Sequence, residues 1–345
     1  MIPIQNIYYM LSYAFQVLNE QGYKNIATEQ FHNTAELMAA ILEKGIAIQL
    51  KRGLGKEYIP QTEALSSLRG KIDIAESIKT QSMLRKQLIC TYDEFSVNSI
   101  MNQIIKSTVE LLLRSNISKQ RKKNLRKLMV YFSEVDFIDL YTVNWNVQYN
   151  RNNQTYHMLI SICYLVVKGL LQTQSNGHTE LMDFLDEQRM CRLYEKFILE
   201  YYRKEFKNQI TANASQIPWQ LDNEENSMLS VMQSDIMLQS GEKVLIIDAK
   251  YYEHSTQVQF DKHTLHSGNL YQIFTYVKNK EYELREKDHT VSGMLLYAKT
   301  DEEIYPNNVY QMSGNQIAVR TLDLNLPFDE IASQLNTIAK THFDL

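Results

Sequence analysis

The stretch SDIMLQSGEKVLIIDAKYY, residues 234–252, carries the side chains best suited to chemistry. Its run Val244-Leu245-Ile246-Ile247 reads as a buried central strand, yet it ends in Asp248-Ala249-Lys250, two opposite charges one residue apart. Side chains alternate along a strand, so Asp248 and Lys250 point to the same side. The polar segment Gln239-Ser240-Gly241-Glu242 is expected to form a four-residue hairpin turn, which brings Asp235 near Asp248 across the ladder. Carboxylates held that close repel unless a cation or a shared proton neutralises them. Mg2+ prefers carboxylate, carbonyl and water oxygens, so Asp235 and Asp248 are candidate metal ligands and the Ala249 carbonyl a further one. Lys250 would stand beside the metal, placed to orient or deprotonate an attacking water and to offset charge on a pentacovalent phosphate.

The elements that must position these groups follow from periodicity. Apolar residues recur at helical spacing over Ile4 to Leu18 and Thr34 to Leu50. Between Lys51 and Phe95, short β-like runs such as LRGKIDI and QLICTYDEF, punctuated by Gly70, predict a small inserted sheet. Ser96 is expected to cap a helix through Arg114 with Ile100, Ile104, Ile105, Val109 and Leu112 on its apolar face. Helices are expected over Tyr156 to Gln172 and Thr179 to Phe206, the latter amphipathic through Leu181, Phe184, Leu185, Leu193, Phe197 and Ile198. Strands Ser227 to Leu238 and Lys243 to Tyr252 come next, then a helix near Leu270 to Lys278. Strands near Val291 to Ala298 and Gln316 to Thr321 and a closing helix from Phe328 to Thr341 complete the chain.

The D-x12-D-x-K pattern across a hairpin resembles the PD-(D/E)xK nuclease superfamily, although Ser234 stands where the name places proline. Two further matches follow from that resemblance. Glu195 in RLYEKFI occupies the helix where many members place an additional acidic ligand. Gln272 and Tyr276 in YQIFTYV form the Q-x3-Y helix that the RecB-like branch uses to brace the site and the phosphate. More narrowly, LYEKFI, SDIML, IIDAKYY, NLYQIFTYV and SGMLLYAK are similar to the McrC family, the nuclease subunit of McrBC-type modification-dependent restriction systems. YYMLSYAF, LRGKIDI and CTYDEFSVNSIMNQIIK extend the likeness more loosely into the N-terminal half.

That resemblance implies a metal-dependent endodeoxyribonuclease subunit of a 5-methylcytosine-type restriction complex. Its site residues would be Glu195, Asp235, Asp248, Lys250, Gln272 and Tyr276, with Mg2+ as cofactor and Mn2+ as a possible substitute. It also implies DNA and an McrB-type AAA+ GTPase hexamer as partners, the N-terminal domain docking on the ring and stimulating its GTP hydrolysis. No Walker A sequence is present, so no nucleotide is expected on this chain. The implied fold is α+β: a helical N-terminal domain with a small β insertion (1–155), then a PD-(D/E)xK nuclease domain with a mixed sheet flanked by helices (156–345). A regulatory adaptor that activates the ring without cutting, and a stand-alone repair-type nuclease, are the alternatives.

Composition bounds the rest. A chain of 345 residues with 44% hydrophobic content, 11 Gly and 5 Pro is expected to fold throughout, as two domains. The net charge of -4 gives no global attraction to polyanions, so any nucleic-acid affinity must be local. Residues 114–127 hold Arg114, Lys119, Arg121, Lys122, Lys123, Arg126 and Lys127 without an acid; phosphate contact, a solvated helix face and a protein-partner surface all remain open readings. Cys90, Cys163 and Cys191 lack a CxxC arrangement, which disfavours disulfides and structural zinc and suits a reducing cytoplasm. His263 and His266 lack an accompanying cysteine or HExxH pattern, and the 22 tyrosines are expected mainly to pack. Met158 to Leu171 is apolar but short and carries Lys168, so no membrane span is expected.

Overall fold

A computed structural model describes residues 2–15, 31–149, 153–174, 187–222, 228–252, 257–259, 262–299 and 305–345, with Leu18, Tyr23, Ile26 and Glu29. The expected helix start at Thr179, with Leu181, Phe184 and Leu185, and the strand start at Ser227 lie outside the described residues. The chain forms two compact units, Met1–Phe31 with Asp183–Leu345, and His32–Met182 between them. This differs from the expected division at 155/156. The opening helix α1 (Ile4–Ala14) belongs with the C-terminal segment, because Asn6 Nδ2 donates to the carbonyls of Leu324 and Leu326, both at 2.8 Å, and Tyr9 stacks on Phe328.

The central unit begins with α2 (Thr34–Arg52), whose N-cap Asn33 accepts from Glu36 N at 2.8 Å. Strands β1 (Glu57–Leu65), β2 (Lys71–Asp73) and β3 (Leu88–Ser96), with α3 (Ile74–Lys79) between the last two, form the anticipated small antiparallel sheet in the order β1-β3-β2. Gly70 is needed there: its φ is +67°, and an added Cβ would stand 2.3 Å from the Thr91 carbonyl oxygen. Helix α4 (Ile100–Arg114) is capped by Ser99, not Ser96, whose hydroxyl instead accepts from Asn98 N. Ile104, Ile105, Val109 and Leu112 are buried as expected, whereas Ile100 is exposed in the first turn. Helix α5 (Lys119–Met129) packs on α2, and α6 (Gln154–Gln174) packs on α2 and α4. That packing is why α6 falls in the central unit. A buried polar knot closes it: Tyr156 OH donates to Asn102 Oδ1, and Asn102 Nδ2 donates to the carbonyls of Gly55 and Val97.

The other unit resumes with α7 (Glu187–Glu205), which packs on α1. Then come β4 (Thr211–Asn213), β5 (Gln216–Ile217), β6 (Met232–Gln233), β7 (Ile236–Ser240), β8 (Lys243–Lys250), and the short pair β9 (Gln257–Gln259) and β10 (Lys262–Thr264). Helix α8 (Ser267–Glu283), β11 (Thr290–Ala298), β12 (Asn308–Met312), β13 (Asn315–Leu322) and α9 (Phe328–Phe343) complete it. The six-stranded sheet runs β12-β13-β11-β8-β7-β4; β11 is parallel to both β8 and β13 and the other pairs are antiparallel, giving a mixed sheet.

Helix α8 covers one face of this sheet through Ile273, Tyr276 and Val277, packed on Val244, Ile246, Leu295, Tyr297 and Ile317. The approach depends on Gly293 in β11. A Cβ there would meet Ile273 Cγ1 and Val277 Cγ2 at 2.8 Å and Ile317 Cδ1 at 2.9 Å. Gly293→Val is therefore expected to lever α8 off the sheet and to lower stability by roughly 1–3 kcal/mol, as overpacked cores do. A urea-unfolding midpoint equal to that of the wild type would contradict it.

Candidate active site

Asp248 and Lys250 continue the α8-facing side of β8 beyond Val244 and Ile246. Their shared side is confirmed by contact: Lys250 Nζ lies 2.8 Å from Asp248 Oδ2. Asp248 is 1% exposed; its Oδ2 is ion-paired with the Lys250 ammonium, and its buried Oδ1 has no hydrogen-bond partner among the described residues. The turn that returns the preceding strand has two residues, Gly241 and Glu242, rather than four: Ser240 pairs with Lys243, and Gly241 takes φ +56°. Pairing of Ile236 with Ile247 then carries Asp235 to the same end of the ladder. Its Oδ2 accepts from Ala249 N at 3.0 Å. Asp235 itself is not in a strand. The expected single strand breaks at Ser234, whose N–H and hydroxyl both donate to the Ser215 carbonyl, so β6 pairs with β5 while β7 joins the large sheet.

Gln272 of the Q-x3-Y pair meets the lysine, and Tyr276 meets Gln272 in turn. Lys250 Nζ donates to Gln272 Oε1 at 3.2 Å, and Gln272 Nε2 donates to Tyr276 OH at 2.9 Å. Glu195 accepts from Cys191 Sγ, one helical turn earlier, at 3.0 Å. It is close enough to Asp235, Asp248 and Lys250 for their charges to act on one another.

The electrostatics express this crowding. Burial, then the charges of Asp248 and Glu195, push the Asp235 carboxyl up to about 8. Burial raises Asp248 in spite of Lys250, and raises Glu195 in spite of the Cys191 hydrogen bond. Burial works against the Lys250 ammonium, but Asp248 outweighs it and the amine is held above its ordinary range. Burial and Glu195 push the Cys191 thiol up to about 12, so it remains a protonated donor.

This is a cluster of three acidic side chains with the Lys250 ammonium among them and an Asp248 Oδ1 that has no hydrogen-bond partner among the described residues. Hard oxygen donors of that kind fit a divalent cation such as Mg2+. Among the described residues no group of three His, Cys, Asp or Glu side chains stands placed to hold a metal ion. Asp235, Asp248 and Glu195 share a field, not a finished coordination sphere.

Sequence reasoning missed Cys191, which the i, i+4 spacing to Glu195 on one helix could have signalled. It also missed a buried polar group beside Lys250: Asn269 Nδ2 donates to Tyr297 OH at 2.9 Å, Tyr252 OH donates to Asn269 Oδ1, and Tyr297 pairs in register with Lys250. His266 is the residue before α8 and contacts the Tyr252 ring edge-on, and the His263 side chain lies outside the described residues.

Residues 5–298 match the family described as McrBC 5-methylcytosine restriction system component. The chain belongs to this family. The McrC resemblance carried by its motifs is thereby borne out. Among McrBC proteins it is 28% identical over 340 residues to the type IV methyl-directed restriction enzyme EcoKMcrBC of Escherichia coli (strain K12), covering 97% of this chain and 96% of that relative. Similar solved structures include a half-complex of Thermococcus gammatolerans McrB AAA+ hexamers with bound McrC (18% identity, TM-score 0.48, 97% of this chain and 76% of that one). The McrBC complex of the same organism is another (21% identity, TM-score 0.41, 59% of each chain). No helix among the described residues of this McrBC component is long and apolar enough to cross a membrane.

Proposed function

We propose that the chain is the DNA-cleaving subunit of a modification-dependent restriction complex, a PD-(D/E)xK-type endonuclease that hydrolyses phosphodiester bonds with Mg2+. The observation that carries this reading is the buried ion pair of Asp248 with Lys250 at the end of a central strand beside Asp235, with Asp248 Oδ1 left without a hydrogen-bond partner among the described residues. A structural ion pair would not also need the mutually repelling carboxylates of Asp235 and Glu195.

Asp235, Asp248 and Glu195, with the Ala249 carbonyl, would hold the ion, and Mn2+ is expected to substitute for it. Bound there, it supplies Lewis-acid polarisation of the scissile phosphate and a more acidic attacking water. The chain's own groups do the positioning. Ala249 N–H fixes the Asp235 carboxylate. Gln272, itself held by Tyr276, aims the Lys250 ammonium, which stabilises charge gathering on the phosphate and orients the attacking water. Family membership supports a division of labour in which an McrB-type AAA+ GTPase ring delivers DNA carrying 5-methylcytosine-type marks. On this reading residues 1–155 contain the ring-docking surface and 156–345 most of the nuclease, with α1 packed beside the latter.

The test combines purified chain, partner ring, GTP and Mg2+ with methylated and unmethylated duplex. Cleavage of the methylated DNA alone, abolished by EDTA and restored by Mg2+ or Mn2+, is the expected result. Stimulated GTP hydrolysis without any cleavage would establish a non-cutting adaptor instead. Cleavage without partner or nucleotide would establish a stand-alone repair-type nuclease.

A further inference from the structure

Helix α5 sorts its cations onto two faces. Arg121 turns inward, where its guanidinium pairs with Glu36 at 3.2 Å and Glu43 at 2.9 Å against α2; Asn124 also donates to Glu43, and Leu125 is fully buried. Lys119, Lys122, Lys123, Arg126 and Lys127 recur at the three- and four-residue spacing that places them together on the opposite face. Lys119, Lys123, Arg126 and Lys127 are exposed and Lys122 is half-buried. Among the described residues none of the five has a carboxylate partner, in contrast to Arg114 just before the helix, which pairs with Glu110. At about 1.5 Å of rise per residue the stripe is about 12 Å long, comparable to the axial rise of about three to four base pairs of a duplex.

We propose that this outward face of α5 binds the phosphate backbone of duplex DNA, an inference that rests on the chain acting on DNA. The chemistry selects phosphate over an acidic protein surface. Protein interfaces are centred on apolar or aromatic anchors and are depleted in lysine. From Lys119 to Lys127 this stripe holds four lysines among five cations and no exposed apolar side chain, the exposed Val130 and Tyr131 lying just past its end. Phosphate contact needs only charge at intervals, given without sequence preference. It also concentrates attraction in a chain whose net charge of -4 gives none overall.

The test compares the full chain with its Lys119→Gln/Lys123→Gln/Arg126→Gln/Lys127→Gln variant, which leaves Arg121, Asn124 and Leu125 in place. Binding to a fluorescent unmodified duplex is measured in EDTA from 50 to 200 mM salt. The expected result is at least about tenfold weaker binding and a logarithmic salt slope shallower by about 3–4, near 0.9 for each lost contact. An unchanged affinity and slope, or no measurable affinity in the unaltered chain at 50 mM salt, overturns the proposal. So does unchanged DNA binding with weakened association to the partner ring, which would reassign the stripe to a protein. Cleavage by the unaltered complex, assayed in parallel with Mg2+, judges the nuclease reading separately from the stripe.

Discussion

Lys250→Ala is expected to reduce DNA cleavage by at least about 100-fold, the lower range for removing a positioned acid, base or charge-stabilising group. GTP hydrolysis by a partner ring should remain stimulated to the wild-type level. The side chain is only 14% exposed and is held at both Asp248 and Gln272, so it acts from one geometry. The substitution also leaves Asp248 without its counter-charge. Breaking a buried pair in this way costs about 3–5 kcal/mol, so a lower melting temperature is expected in the absence of divalent cation. Asp248→Asn/Lys250→Met removes both charges together and should recover much of that stability while remaining inactive. Cleavage that persists in Lys250→Ala would remove the lysine from the reaction. Joint loss of cleavage and ring stimulation in the better-folded double variant would place the residue in the fold and not in the chemistry.

The core of this site was legible because strand alternation is rigid. An apolar run that ends in Asp-Ala-Lys can place its two charges only on one side, and the structure does so. The long-range parts were less legible. Nothing local announces that Ser234 will donate twice to the Ser215 carbonyl and break a strand, since that partner lies 19 residues away. Turn length was overestimated because Gln239 and Ser240 are polar, but they pair with Val244 and Lys243, and only Gly241 and Glu242 are needed to reverse the chain. Ser96 and Ser99 are both competent helix caps by type, and only the end of the β3 ladder decides between them. The grouping of α1 with the C-terminal segment was illegible for a similar reason: helical periodicity shows that α1 has an apolar face but not which apolar face will cover it. Arg121 shows the same limit in electrostatics, because one cation of a uniform basic run turns inward only where α2 supplies Glu36 and Glu43.

The proton balance at Asp235 gives a prediction that does not depend on activity. Its carboxyl rises from the ordinary 3.8 to about 8 through burial and the charges of Asp248 and Glu195. Between those values the unfolded chain releases this proton and the folded chain keeps it, so the folded state binds more protons and stability falls as pH rises. The contribution is complete below about pH 4 and is lost progressively toward pH 8. Glu195 and Asp248, also raised, add slopes of the same sign. In EDTA the melting temperature should therefore decline from pH 5 to pH 8 more steeply in the wild type than in Asp235→Asn, which retains an oxygen for the Ala249 N–H and cannot ionise. The variant should be the more stable protein at pH 8, with the difference shrinking toward pH 5. Mg2+ should invert the order, stabilising the wild type at pH 8 by binding the ionised carboxylates while leaving the variant nearly unmoved. Parallel pH profiles in EDTA would show that Asp235 is not held protonated by its neighbours. A Mg2+ response of equal size in both proteins would remove it from the ligand set.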